Sequence, residues 1–208
     1  MKNWIVLKEG FPFAGATDNA SMEMLTESEL QSTLSGRDVY VSGVVQRADA
    51  ENHNGRIYPK SILQREVDRY REIMKENRAF GELDHPETSM VVRLKEASHI
   101  LVDLQWKGND LWGKAKLLKS TPNGQIAIGL HQIDKTKLGI SSRGMGAVSV
   151  RESKNYVDDF KLSCWDLVAD PSTIGAFMGS TNESFVPTYN YVTRVNKFAQ
   201  DILDFRKR

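Results

Sequence analysis

Two alternating runs, HILVDLQW (residues 99–106) and LWGKAKLL (111–118), flank Lys107-Gly108-Asn109-Asp110. Period-two alternation on both arms of a short glycine-containing turn specifies an antiparallel hairpin with one apolar face. A lone hairpin is not stable in water, so that face needs more strands or helices. The chain supplies them. DVYVSGVVQRAD (38–49), LGISSRGMGAVSV (138–150) and FKLSCWDLVADP (160–171) all read as strands, and the polar stretch ESKNYVDD reads as the turn between the last two.

Helical patterns are few. KSILQREVDRYREIMKENR (60–78) carries Leu63, Val67, Tyr70 and Met74 on one stripe, with Ser61 as its expected N-cap. TPNGQIAIGLHQID predicts a short helix with Ile126, Leu130 and Ile133 on one side. The C-terminal stretch predicts a helix whose Tyr191, Val195, Phe198, Ile202 and Phe205 form a heptad-like stripe. A repeating βαβ pattern is absent, which argues against a doubly wound parallel sheet. The predicted class is α+β: a β-barrel-like core of mainly antiparallel strands with surrounding helices. Residues 1–36 read as a loosely ordered segment with a short helix in MEMLTESELQSTL before Gly36, 37–172 as the main domain, and 173–208 as linker plus terminal helix.

Composition excludes several functions. The formal net charge is +1 over 208 residues, which gives no electrostatic reason to expect nucleic acid or an anionic membrane. Cys164 is the sole cysteine, so no intramolecular disulfide forms and a reducing compartment fits. No run of about 18 apolar residues marks a membrane span, and the N-terminus lacks the h-region of a secretory signal. The four histidines show no HExxH spacing, and one cysteine excludes the usual structural zinc sites, so no metal or other cofactor is expected.

Nucleophilic catalysis remains. It needs a hydroxyl or thiol, a base to take its proton and a group that orients the base. LGISSRGMG offers the hydroxyls. By strand alternation Leu138, Ile140 and Ser142 share the core face, while Gly139, Ser141 and Arg143 share the other, so Ser141 is the reachable serine. Glycines 139, 144 and 146 admit a neighbouring backbone, and N–H groups near Ser142 and Arg143 are candidates for an oxyanion hole. His85, in GELDHPE, is the candidate base. In FKLSCWD, alternation puts Phe160, Leu162, Cys164 and Asp166 on one apolar face. An aspartate on such a face needs a partner or a route to solvent, and a histidine N–H serves. Asp170, before Pro171, is the competing acid. Cys164 is the rival nucleophile, although a buried thiol is inert by default.

At these residues the chain resembles the prohead core, or capsid maturation, serine proteases of tailed bacteriophages. GELDHPE, GISSRG and FKLSCWDLVADPS carry the resemblance, with NHNGRIYPKSIL (52–63) and WKGNDLWGKAK (106–116), over about residues 38–172. The resemblance implies a fold related to the herpesvirus maturation proteases. It implies a serine endopeptidase, held as a zymogen in the prohead inside an infected bacterium, that cleaves scaffold and major capsid proteins and then itself. A homo-oligomer, such as a ring, is expected. By motif, His85 becomes the base, Ser141 the nucleophile and Asp166 the orienting acid. The usual cleavage pattern, a hydrophobic residue, any residue, then Glu, points to autocleavage after Glu9 and secondarily Glu27, with residues 1–36 removed. Leu94-Lys95-Glu96 matches in letters but lies beside a strand. The alternative is a catalytically inactive procapsid scaffold or structural assembly protein of the same fold.

Overall fold

A computed structural model describes residues 24–86 and 89–179, and the backbone of residues 5–8. The C-terminal helix predicted for 191–205 lies outside the described residues. The strands are β1 (Ile5–Lys8), β2 (Val39–Arg47), β3 (Arg56–Ile57), β4 (Phe80–Glu82), β5 (Ala97–Lys107), β6 (Asp110–Leu117), β7 (Leu138–Arg151), β8 (Lys154–Val168) and β9 (Phe177–Met178). The helices are α1 (Glu27–Leu34), α2 (Lys60–Lys75) and α3 (Pro122–Ile128).

The strands form two sheets, β2-β6-β5-β4 and β1-β7-β8-β3, with β9 also pairing β7. Every pairing is antiparallel except β3 with β8. The expected closed barrel is not found. Among the described residues the backbone ladders of the two sheets are joined by single bridges, Ser42 with Gly179 at one seam and Leu83 with Leu167 at the other. The β5–β6 hairpin turns through Gly108-Asn109 as its sequence predicts. The second hairpin is tighter than expected. Glu152 and Ser153 alone make the turn, both at positive φ, and β8 begins at Lys154.

One core lies between the sheets and α2. Leu63, Val67 and Tyr70 are buried on the predicted stripe, and Tyr70 meets Trp165 edge-on with ring centroids 5.0 Å apart. The N-cap is Pro59 rather than Ser61, because the chain enters the helix two residues earlier. The stripe predicted for α3 holds only in part: Leu130 packs against the core, whereas Ile126 is exposed, Ile133, at the end of a π-turn over Gly129–Ile133, is 76% exposed, and Ala127 is buried instead. Within the segment expected to be loosely ordered, α1 is a capped helix. Thr26 and Glu29 form a capping box, and both Glu29 carboxylate oxygens accept from the buried Lys114 at 2.9 Å.

The β4–β8 seam depends on Gly81. A β-carbon there would stand 2.1 Å from the Trp165 carbonyl oxygen and 2.3 Å from the His99 ring. His99, the third residue of β5, is fully buried. Burial pushes its pKa down to about 4 from 6.5; burial, then the Lys135 charge, does the same to His131.

Two predictions follow from this packing. Gly81→Ala forces backbone apart at the seam and is expected to cost about 2 kcal/mol or more, read as a lowered urea midpoint; an unchanged midpoint contradicts the packing. The second concerns pH. Between about pH 6.5 and 4 the unfolded chain binds protons that the folded His99 and His131 refuse, so stability falls as pH falls through that window, by about 3 kcal/mol per histidine. Urea midpoints across that range are expected to decline less steeply for His99→Gln than for the wild type. Equal slopes would show that His99 titrates normally.

Candidate active site

The site is organised by a β-bulge. β7 and β8 run in register from Gly139–Val168 to Arg143–Cys164, after which Gly144 pairs with Leu162. Ser163 is thus an extra residue in β8, and the alternation of faces inverts across it. Phe160 and Leu162 stay in the core, as do Trp165 and Leu167 beyond the bulge. Cys164 and Asp166 turn to the opposite face, where the Cys164 thiol donates to Asp166 Oδ1 at 3.3 Å. This corrects the expectation that Phe160, Leu162, Cys164 and Asp166 share a face.

Helix α2 holds the bulge. The Leu162 N–H, released from the ladder, donates to Glu66 Oε2 at 3.0 Å, and the Leu162 carbonyl accepts from the Arg69 guanidinium. Glu66 is buried and also receives Arg65 and Arg69 at 3.0 Å each. Gly144 makes room on the facing strand, since a β-carbon there would meet the Phe160 ring at 2.4 Å. That glycine is therefore used for internal packing rather than for a substrate strand.

Asp166 is fully buried and completely coordinated. Oδ1 accepts the Glu82 N–H at 2.9 Å and Arg143 Nη2 at 3.1 Å. Oδ2 accepts Arg143 Nε at 2.8 Å and faces His85 Nδ1 at 2.7 Å. A carboxylate can only accept, so Nδ1 carries the proton and Nε2 is the free base nitrogen. Burial alone would raise the Asp166 pKa. The hydrogen bonds from His85 and Arg143, with the Arg143 charge, override it and hold the carboxyl below its ordinary range. Burial, then the neighbouring carboxylate, pushes the Cys164 thiol well up, which makes it a poor nucleophile.

His85 reaches Asp166 because the chain turns sharply after β4. Asp84 sits at φ 63°, a left-handed conformation aspartate tolerates, and its N–H donates to the Leu167 carbonyl at 2.8 Å. The segment after His85 folds over the same face. The Ser89 carbonyl accepts Arg143 Nη1 at 2.8 Å, and the Met90 carbonyl accepts Ser163 Oγ at 2.7 Å. The buried Glu82 carboxylate takes the Arg93 N–H at 2.5 Å and Arg93 Nη2 at 3.0 Å, and lies 3.5 Å from Arg143 Nη2.

Ser141 stands directly opposite Asp166 in the cross-strand register, and Ser142 opposite Trp165. Paired residues share a face, so Ser141 belongs with Asp166, Arg143 and Cys164, while Ser142 belongs with the core. The face predicted for Ser141 is therefore the one that carries Asp166. It is not open, however: Ser141 is 2% exposed beneath this cover. His85 Nε2 is buried and has no hydrogen-bond partner, so a Ser141–His85 bond is not formed in this state. Arg143 is fully buried, and its guanidinium is committed to Asp166 and Ser89. Sequence reasoning missed Glu82, whose place in GELDHPE was the available signal, and Glu66, which had none beyond being a charge on an otherwise amphipathic helix. Asp170, the competing acid, is exposed.

Along the other edge of β7, β9 covers Leu138–Gly139 and β1 covers Arg143–Gly146. Among the described residues no strand lies along Ser141 and Ser142 on that edge. The described residues contain no cluster of side chains able to hold a metal ion, and no helix long and apolar enough to cross a membrane.

Comparison with known proteins agrees with these motifs. The chain is 34% identical over 146 residues to the prohead core protein protease of Enterobacteria phage T4, covering 67% of this chain and 68% of that protein. The solved structure of the bacteriophage T4 capsid assembly protease, gp21, superimposes with a TM-score of 0.61 at 29% identity, over 81% of this chain and 98% of that one. The family model described as prohead core protein serine protease matches residues 12–184, and the chain belongs to that family.

Proposed function

We propose that the protein is a serine endopeptidase that cleaves scaffold and capsid proteins inside the prohead, and itself. Ser141 is the nucleophile, His85 the general base and Asp166 the acid that orients it. The observation that carries this reading is a His85–Asp166 pair with a free Nε2, on the face and at the register position of Ser141. His85 Nε2 takes the Ser141 proton as Oγ attacks a peptide carbonyl. Asp166 keeps the proton on Nδ1 and stabilises the imidazolium. Backbone N–H groups of Ser142 and Arg143 are the oxyanion donors. The Arg143 guanidinium instead holds the carboxylate. The protein works as a homo-oligomer in the prohead of an infected bacterial cell. The buried Ser141 and the missing Ser141–His85 bond fit a zymogen whose catalytic hydrogen bonds tighten on activation.

Self-cleavage after Glu9 has structural support. Glu9 lies outside the described residues, but β1 ends with Lys8 opposite Arg143, two register positions from Ser141, and Glu9 and Gly10 are the next residues in the chain. Glu27 ranks second. It is the first residue of α1, so an extended substrate conformation there requires breaking the capping box and the Glu29–Lys114 ion pair. Glu96 is protected: its carbonyl accepts the Leu83 N–H and the Asn123 side chain.

Intact-mass analysis of purified protein held over time is expected to show a new N-terminus at Gly10. Ser141→Ala, His85→Ala and their double variant are expected to lose about 10⁴-fold or more in rate, the double no worse than either single, while remaining folded. Ser142→Ala keeps substantial activity. Asp166→Asn folds and loses most activity through the wrong imidazole tautomer. If Ser141→Ala trims as fast as the wild type, the triad is misassigned. A wild type inert toward scaffold protein as well as itself would favour the non-enzymatic assembly protein.

A further inference from the structure

The outer edge of β7 is shared between two short strands with a gap between them. β9 lies along Leu138–Gly139, with the Ala176 carbonyl accepting the Ile140 N–H at 2.9 Å, and β1 lies along Arg143–Gly146. Both register shifts against β8 place their extra residue in β8, Ser163 at one and Asp158 at the other, so β7 itself keeps a regular alternation. In an antiparallel ladder the backbone groups of successive residues point to opposite neighbours. The Ile140 N–H points to the β9 edge, so Ser142, Gly144 and Gly146 present their backbone groups to that edge as well. Gly144 and Gly146 stand opposite Leu7 and Ile5, which makes those two the residues through which β1 bonds to β7. The Val6 and Lys8 N–H groups point away from it.

The direction of β1 matters. It runs antiparallel to β7, so its last residue, Lys8, is the one next to the gap at Ser141 and Ser142. A peptide that extends this register by one residue stands opposite Ser142, and the peptide bond that follows lies at the level of Ser141. β1 therefore sits where the residues before a scissile bond would sit, and it bonds there through backbone groups that any extended peptide possesses.

We propose that the Arg143–Gly146 edge of β7 is the docking surface for the substrate residues that precede the cut, and that β1 is its built-in competitor. This rests on Ser141 as the nucleophile. Substrate adds a strand to the sheet in place of β1, paired through Gly144 and Gly146. The N-terminal strand occupies the edge before self-cleavage. Because a cut after Glu9 leaves its pairing intact, it stays on as a product inhibitor until it dissociates. Once cut, it loses the high local concentration that its tether supplied, and substrate displaces it. The partner that fits is an extended apolar segment like Ile5-Val6-Leu7, whose β-branched residues favour a strand.

The test uses the full chain carrying Ser141→Ala, so that nothing is cut, and a fluorescein-labelled peptide of residues 1–9 whose binding is read by anisotropy. Leu7→Pro removes an N–H that pairs with β7, whereas Val6→Pro removes one that points away. Adding Leu7→Pro is expected to tighten peptide binding at least about 10-fold over the Ser141→Ala parent, because the edge is vacated; adding Val6→Pro leaves it within about threefold. On the Leu7→Pro chain, N-methylation of the peptide at its Leu7 is expected to weaken binding about 10-fold, and at its Val6 less than about threefold. Equal affinity of the parent and the Leu7→Pro chain, no saturable binding to the Leu7→Pro chain, or equal losses from the two N-methyl groups overturns the proposal. Binding here involves no catalysis, so its failure is distinct from that of the triad, which falls if Ser141→Ala still cleaves a peptide containing Leu-Lys-Glu-Gly. Should Leu7→Pro not fold, Ile5→Pro, which removes the other paired N–H, replaces it with the same expected outcomes.

Discussion

The Asp166 carboxylate is the constraint around which this molecule is arranged. An ionised group with no solvent exposure is tolerated only when charges and hydrogen bonds replace its hydration, and removing one partner of such a group typically costs about 3–5 kcal/mol. Here the replacement comes from separate stretches of chain: the Glu82 N–H of β4, the His85 ring beyond it, the Arg143 fork of β7 and the Cys164 thiol of β8 itself. Arg143 is neutralised twice, by Asp166 and by Glu82, and Glu82 by Arg93. The site is thus one charge-balanced network that also fastens the two sheets to each other. The carboxylate proposed to orient His85 and the structural seam are the same object.

The bulge at Ser163 explains why the network is in the right place. Without it, Asp166 would follow Phe160 and Leu162 into the core, away from His85. With it, the carboxylate turns over while Trp165 and Leu167 take the apolar positions. The cost of breaking the ladder is met by α2, whose Glu66 and Arg69 bind the released N–H and carbonyl of Leu162. Helix α2 therefore acts on the site without touching it.

How much of this was legible beforehand depended on the range of the signal. Period-two runs and their turn predicted the β5–β6 hairpin, and the 4-3-4 spacing predicted the buried stripe of α2, because both are local patterns. Strand alternation also put Ser141 and Arg143 together and away from Ile140. The bulge was invisible because Ser163 reads as an ordinary strand residue, and only the partner strand and α2 reveal it. The expectation that Ser141 is open to solvent came from treating a non-core face as a surface. The segment from Ser89 to Arg93 covers that face through long-range contacts to Arg143, Ser163 and Glu82. The α3 stripe failed at Ile126 and Ile133 because the core takes the small Ala127 from this short helix, and the π-turn after it lets Leu130 pack while Ile133 swings outward.

The account turns on which side chain of β7 reaches the free nitrogen of His85. A fluorophosphonate carrying a short Leu-Lys-Glu-like peptide phosphonylates an activated serine, and peptide mapping of the adduct by mass spectrometry reads the residue directly. The account predicts one adduct on Ser141, appearing after activation and absent from His85→Ala. An adduct on Ser142 or Cys164, or equal labelling without His85, would contradict it.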